Sequence, residues 1–253
     1  MKIDFSKYSS VRIGGIFDVE VLDEMREFDG VIIGGANNLL ISPNPPKMGI
    51  LGSEFDYIKL ENGVLKIGAK TPSSKIYKFT KDNNIGGFEF VKKIPGTLGG
   101  MIKMNAGVKE YEISNLLLNI TTSKGVTLAN ECGFSYRHSN IDGVIFEANF
   151  KIIHEFDEAL SNKLNQKRSN QPKGASFGSC FANPAGDHAG RLLEAAGMKG
   201  YRIGGCGFSE IHANFLINYG SGSFNDAIEL INLAKNRVAE LFGIELRCEV
   251  VIL

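Results

Sequence analysis

The stretch QPKGASFGSCFANPAGDHAGRLLEAAGMKGYRIGGCGFSEIHANFLIN runs unbroken from Gln171 to Asn218. Ser179 lies in it between Gly178 and Cys180, where small neighbours leave a hydroxyl uncovered on a tight turn. Arg191, Glu194, Lys199, Arg202, Glu210 and His212 follow closely. Such a density of charge and hydrogen-bonding chemistry suits a polar, anionic substrate. The spacing in DHAGRLLEAAGM predicts a helix closed by glycine, and the apolar run before Asn218 predicts a strand. Taken singly, each polar residue reads as well as ordinary helix or strand surface.

Around this stretch, 253 residues leave room for one large domain or two to three small ones. Basic and acidic residues balance at 28 each with no basic block, so charge offers nothing to a nucleic acid. Cys132, Cys180, Cys206 and Cys248 are scattered without a CxxC pair, so zinc spacing is absent and free thiols in a cytosolic protein are expected. The opening MKIDFSKYSSVRIGG lacks the apolar core of a signal peptide. No window approaches the roughly 18 apolar residues that cross a bilayer.

Three blocks are expected: residues 1–50, 51–153 and 154–253. In the first, Val31–Ile33 reads as a strand ending on Gly34-Gly35, DEMREFD as a short helix, and SPNPPKMG as a boundary. The second opens on a hairpin around Asn62-Gly63, continues with a helix in PSSKIYKFTKDNN, and returns to strands in LLLNITTSKGVTLAN and GVIFEANFKII. The third starts with a charged helix, EFDEALSNKLNQKRSNQP, and ends with a long amphipathic helix, DAIELINLAKNRVAELFG, and a strand, ELRCEVVIL. Grouped strands with helices between them predict an α+β fold rather than strict βαβ alternation.

Two glycine segments need explanation. GGANNLLIS begins at Gly34, and IPGTLGGMIKMNAG runs from Ile94 to Gly107. Neither fits GxGxxG or the GxxxxGK[ST] phosphate loop. Each can still expose consecutive backbone N–H groups to a pyrophosphate, with amides from Asn37, Asn38 and Asn105. Two such loops in one chain favour a large phosphate-bearing cofactor over simple connecting turns.

Together with VRIGG (Val11–Gly15), FSYRHS (Phe134–Ser139), the GSCFANP…AGMKGYRIGG string, SEIHANFLIN and the terminal Glu249-Val250, these loops give the chain a resemblance to the UDP-N-acetylenolpyruvoylglucosamine reductases. The resemblance runs in order through nearly the whole chain. It implies a three-domain flavoprotein. Two FAD-binding domains are of the vanillyl-alcohol-oxidase (PCMH) type, and a C-terminal α+β domain binds substrate. FAD would lie around Gly34, Gly35, Asn37, Asn38, Pro95, Gly96, Thr97, Gly99, Gly100, Asn105 and Gly107, with NADPH as co-substrate. The implied reaction reduces an enolpyruvyl ether on UDP-N-acetylglucosamine during peptidoglycan precursor synthesis. Arg137 would stabilise the enolate-like charge, Glu249 would polarise the carboxylate, and Ser179 would deliver the proton. A buried apolar setting of Val250, Val251 and Ile252 is expected to favour the protonated form of Glu249. Asn183, Lys199 and His212 would contact the substrate diphosphate, with Tyr136 and Arg202 as weaker contacts.

The chain departs from the family pattern in having Ala182 where many members carry lysine, and Val251 where arginine is common. The compact region between Ile113 and Phe134 fits the shorter form of the family, without a tyrosine-bearing lid. A cytoplasmic monomer is expected. Two other readings stand beside this one. The first is another FAD-dependent oxidoreductase of the same fold, and the second is a catalytically silent flavin or nucleotide-sugar binder. The joint presence of Ser179, Arg137 and Glu249 weighs against both.

Overall fold

The computed structural model describes residues 1–167 and 171–253. Its strands, in chain order, begin with β1 (Lys2–Asp4), β2 (Ile16–Leu22), β3 (Val31–Ile32), β4 (Leu39–Leu40), β5 (Met48–Leu51), β6 (Ile58–Glu61) and β7 (Val64–Gly68). They continue with β8 (Ile85–Gly86), β9 (Gly107–Val108), β10 (Tyr111–Glu112), β11 (Leu117–Thr122), β12 (Gly125–Leu128), β13 (Ile145–Lys151) and β14 (Ile153–His154). The last are β15 (Ala175–Ser179), β16 (Arg202–Ile203), β17 (Cys206–Phe208), β18 (Phe215–Asn218) and β19 (Val251–Ile252). The helices are α1 (Phe5–Tyr8), α2 (Ser73–Asp82), α3 (Leu98–Lys103), α4 (Glu158–Lys167), α5 (Ala189–Ala195) and α6 (Phe224–Phe242). The architecture is α+β.

The chain folds as two compact units. The first comprises Met1, Val19–Gly35 and Lys47–Ser169, and the second Lys2–Asp18, Ala36–Pro46 and Asn170–Leu253. Residues 1–50 therefore contribute to both units. A cut after residue 50 falls inside β5, which lies between β2 and β3 in parallel pairing. A cut after residue 153 falls inside β14, which pairs with β8.

In the first unit, Asn62 and Gly63 both take positive φ, 51° and 76°. That geometry suits a two-residue hairpin turn, and it joins β6 to β7 as the sequence predicts. The antiparallel sheet then runs β12-β11-β13-β7-β6. Phe146, Ala148 and Phe150 of β13 and Leu65 and Ile67 of β7 are buried against Ile76 of α2 and Leu98, Met101 and Ile102 of α3. The segment from Ile113 to Phe134 is filled by the β11–β12 hairpin and two short 3₁₀ turns.

Two expectations change here. DEMREFD is not helical. Its few apolar residues cannot form a core-facing stripe, and an isolated turn of helix is too short to persist. Instead Arg26 bonds Glu20 at 2.6 Å, and Lys47 lies 4.8 Å above the Phe28 ring. The charged helix α4 belongs to the first unit, because Leu164 enters its core and the Ser161 hydroxyl meets that of Tyr77 at 3.0 Å. The expected continuation of α4 through residues 168–170 lies outside the described residues.

In the second unit the sheet order is β15-β18-β17-β16, all antiparallel, and β19 pairs in parallel with β4. The helix α6 supplies much of its core. Ala227, Leu230, Ile231, Ala234 and Val238 are buried, Ile228 and Leu233 pack at the margin, and Leu241 is exposed. Its N-terminus is a capping box. Ser223 Oγ accepts from the Asp226 N–H at 3.1 Å, and Asp226 Oδ2 accepts from the Ser223 N–H at 3.0 Å. The expected final strand is confined to two residues, Val251–Ile252.

Replacing Ser223 with Ala removes one half of this box. The expected loss is about 1 kcal/mol of stability, read as a shift of the urea midpoint at unchanged slope. An unchanged midpoint would mean that Asp226 holds the helix start without it.

Candidate active site

Ser176 pairs with Ile217 and Ser179 with Phe215, so β15 spends three steps where β18 spends two. The extra residue is a bulge, and bulges redirect side chains. Gly178, inside it, has φ of +86°. A Cβ built there would meet nothing within 4 Å, so the glycine answers to backbone conformation and not to space. Regular alternation would send Ser179 to the face of buried Phe177. The bulge puts it on the face of Ser176, Ile217 and Arg202, which follow one another across the sheet through Gly207. The Arg202 guanidinium lies 3.7 Å over the Tyr219 ring on that side.

Glu249 approaches from the other edge of β15. Its N–H donates to Cys180 O at 2.9 Å, and the Ala182 N–H donates to Arg247 O at 2.9 Å. The main-chain partner of Glu249 is thus the residue next to Ser179. Asn38 fixes the same segment, with Nδ2 donating to Glu249 O at 2.8 Å and its carbonyl accepting from the Val251 N–H at 3.0 Å. The expected apolar setting of Glu249 is corrected. Val250 is buried, but Val251 and Ile252 are 36% and 40% exposed, because the terminal strand has only one neighbour, β4.

Asn214 was not singled out in the sequence, yet it holds this arrangement. Its Oδ1 accepts from the Phe181 N–H at 2.9 Å and its Nδ2 donates to Phe181 O at 2.8 Å. Its own carbonyl accepts from the Cys180 N–H at 2.7 Å. An amide within the apolar HANFLIN was the available signal, since a buried amide has to be matched. Asn218 plays the corresponding part at the other end of β18, donating to Val11 O and Arg12 O at 3.0 and 3.1 Å.

Three candidate substrate residues gather around α5. Asn183 Oδ1 accepts from the Ala189 N–H at 3.0 Å, at the helix start. Lys199 Nζ lies 2.7 Å from Glu194 Oε1. The His212 ring sits against Gly190, whose added Cβ would be 3.0 Å from Cε1. His212 Nδ1 accepts from the Asn214 N–H at 3.2 Å, which assigns the ring proton to Nε2. Burial holds this imidazole below its ordinary 6.5, with the Lys199 charge pulling the same way.

The first unit carries all but one of the remaining candidates. The two glycine loops meet within it, since a Cβ on Gly34 would lie 2.9 Å from Thr97 Oγ1. Gly35 follows directly. Gly96 O accepts from the Ser73 N–H at 2.9 Å, and Pro95 is exposed. Gly99 packs on the end of β7 through its N–H to Ala69 O at 2.8 Å, while Gly100 is exposed. Asn37 belongs to the second unit, where its carbonyl accepts from Ser10 Oγ at 3.2 Å. Arg137 donates from Nη2 to Gly107 O at 2.9 Å and lies 4.9 Å over the Tyr136 ring. Gly107 is tied to Glu112, since a Cβ there would lie 2.8 Å from Glu112 Cγ. Asn105 is buried, and its Oδ1 has no hydrogen-bond partner. Among the described residues no cluster of His, Cys, Asp and Glu could hold a metal.

Comparison with known proteins identifies the family and the fold. Residues 170–253 match the family model described as UDP-N-acetylenolpyruvoylglucosamine reductase, C-terminal domain. The UDP-N-acetylenolpyruvoylglucosamine reductase of Campylobacter jejuni (strain RM1221) is 53% identical, over 100% of both chains. That of Helicobacter pylori (strain ATCC 700392 / 26695) is 44% identical, over 99% of this chain and 98% of its own. The crystal structure of the Thermus caldophilus reductase superposes with a TM-score of 0.87 at 27% identity, covering 100% of this chain and 98% of the other. Fold and relatives together define an oxidoreductase. The chain belongs to the UDP-N-acetylenolpyruvoylglucosamine reductase family.

Two outcomes are expected from this geometry. Gly178→Ala forces a side chain into a positive-φ position, at a cost of about 1–3 kcal/mol, and turns Ser179 away from its face. Calorimetry and turnover should both fall, and retention of both would mean the bulge is dispensable. His212 binds its proton less readily folded than unfolded. Its contribution to stability is present above 6.5 and lost as pH falls through the lower, folded-state value. In denaturant titrations on either side of that range His212→Gln should flatten the pH dependence, and an unaltered slope would assign it elsewhere.

Proposed function

We propose that this chain reduces the enolpyruvyl ether of UDP-N-acetylglucosamine to UDP-N-acetylmuramate in peptidoglycan precursor synthesis, with FAD as cofactor and NADPH as co-substrate. The observation that carries the reading is 53% identity to one of these reductases over the full length of both chains, joined to a bulge that sets Ser179 on the face opposite buried Phe177, next to the residue whose carbonyl accepts from the Glu249 N–H. The residues present fit a flavin. A buried amide oxygen on Asn105 lacks a donor, and two glycine loops meet at Gly34 and Thr97. Gly34, Gly35, Asn37, Asn38, Pro95, Gly96, Thr97, Gly99, Gly100, Asn105 and Gly107 would hold it. When bound, the flavin supplies the hydride that NADPH has delivered.

The protein's own groups handle charge and the proton. Arg137 presents a planar cation that suits the substrate carboxylate as negative charge develops on it. The Gly107 carbonyl fixes the orientation of that guanidinium, limiting reorganisation during the reaction. Glu249 polarises the carboxylate, held by Asn38 and Cys180 through its main chain. Ser179 passes its hydroxyl proton to the carbon next to the carboxylate. Asn183, Lys199 and His212, gathered at α5, bind the diphosphate, with Tyr136 and Arg202 at its margin. Arg247, whose main-chain carbonyl accepts from the Ala182 N–H, is our candidate for supplying the charge of the missing lysine.

We retain the three blocks as a division of labour, with residues 1–50 and 51–153 serving the flavin and 154–253 the substrate. The family-model match over residues 170–253 supports the last of these. No helix among the described residues is long and apolar enough to cross a membrane. The nucleotide substrates favour a cytoplasmic enzyme, and a monomer remains the expectation.

Ser179→Ala should leave flavin reduction by NADPH intact and slow reoxidation by substrate by about 10²-fold or more, measured by anaerobic stopped-flow absorbance. Equal slowing of the two half-reactions would remove the serine from proton delivery.

A further inference from the structure

The Asn105 side chain is incomplete in a way that identifies what it faces. An asparagine amide has two N–H donors and a carbonyl acceptor. Both donors are spent within the protein, on Glu112 Oε2 at 2.8 Å and on Ser135 O at 3.1 Å. Those partners accept only, one being a carboxylate and the other a main-chain carbonyl. The amide therefore cannot be turned over without setting oxygen against oxygen. Its Oδ1 is left buried with no donor from the protein, on a residue 1% exposed. A buried acceptor of this kind calls for a partner N–H or O–H.

We propose that Glu112 is a positioning residue for the cofactor. It holds the Asn105 amide so that Oδ1 receives a hydrogen bond from the imide N–H of the isoalloxazine ring. The inference rests on the flavin-dependent reading above and adds a residue to it. Two features favour the ring, rather than the adenosine end, at Asn105. The Asn105 and Gly107 carbonyls both face the guanidinium of Arg137, at 3.5 and 2.9 Å, and Arg137 is the group assigned to the reacting carboxylate. The imide N–H is also the ring's own neutral donor, and a neutral acceptor suits it better than the Glu112 carboxylate would. Residue 107 is glycine where the Tyr111–Glu112 segment comes close, since a Cβ there would run into Tyr111 O and lie 2.8 Å from Glu112 Cγ and 2.9 Å from Glu112 Cα.

The test uses the full chain, freed of flavin and reconstituted with FAD or with its N3-methyl analogue, which lacks the imide N–H. The wild type should bind FAD about tenfold more tightly than the analogue. With ¹⁵N-labelled FAD, the imide proton should exchange slowly with solvent. Glu112→Ala frees the amide to turn, so discrimination and exchange protection should be lost while FAD still binds and the circular dichroism is retained. Glu112→Gln, whose side-chain oxygen can still accept from Asn105, should restore both. Equal affinity of the wild type for FAD and the analogue overturns the proposal, leaving a water at Oδ1, and does so even if the variants do not fold. Unaltered imide exchange in Glu112→Ala also overturns it. Failure of the wild type to bind FAD at all would instead strike the flavin reading on which the proposal rests.

Discussion

The second unit is organised around the main chain of Cys180 and Phe181, which is hydrogen-bonded on two edges at once. On one side the Asn214 side chain takes both polar groups of Phe181, in the way a strand neighbour would. On the other, Cys180 O accepts from the Glu249 N–H. A segment with no free edge cannot slide by a residue without leaving buried amides unpaired, at roughly 1–3 kcal/mol each. This matters because a one-residue slip reverses every side chain. The chemistry assigned to Ser179 and Glu249 needs their relative register kept, and the buried amides keep it. Burial of the thiol raises the Cys180 pKa well above its ordinary value, so the residue acts as packing and not as a nucleophile.

Much of this was legible beforehand. Hairpins and helices with local signals appear where expected, such as the Asn62-Gly63 turn, α2 after Pro72, and α6 with its glycine stop. In each case residues close in sequence set the conformation. The failures share the opposite cause. DEMREFD has the composition of a helix, yet Phe28 packs at the margin of the first unit's core and Arg26 pairs with Glu20 of β2, so tertiary contacts set its conformation. The charged helix α4 reads as the start of a new block, yet Leu164 and Ser161 bury it in the first unit. No local pattern says which core an amphipathic helix will join.

The candidate site divides in the same way. Ser179 stood out because of its small neighbours, but the bulge that aims it depends on the register of β15 against β18, which a single sequence does not contain. Asn38 looked like a cofactor amide. In the structure its donor goes to the Glu249 main chain, so any part it has with the flavin is shared with holding the terminal segment. His212, Lys199 and Asn183 are 29 positions apart at the extremes, and only the short helix α5 shows that they belong together.

The glycines illustrate why composition alone overstates a cofactor cradle. Gly178 is required by its positive φ in a place with open space around it. Gly107 is required by the close approach of the Tyr111 carbonyl and of Glu112, whose carboxylate accepts from the Asn105 amide. One glycine therefore serves the fold of the β15–β18 pair, and the other a polar network beside Arg137. Neither is bare backbone waiting for a phosphate. The group that points most directly to a ligand is instead a side chain, the Asn105 carbonyl oxygen. A buried acceptor left unmatched by a protein that matches its neighbours so fully is the stronger evidence, because leaving it so costs stability that bound cofactor would restore.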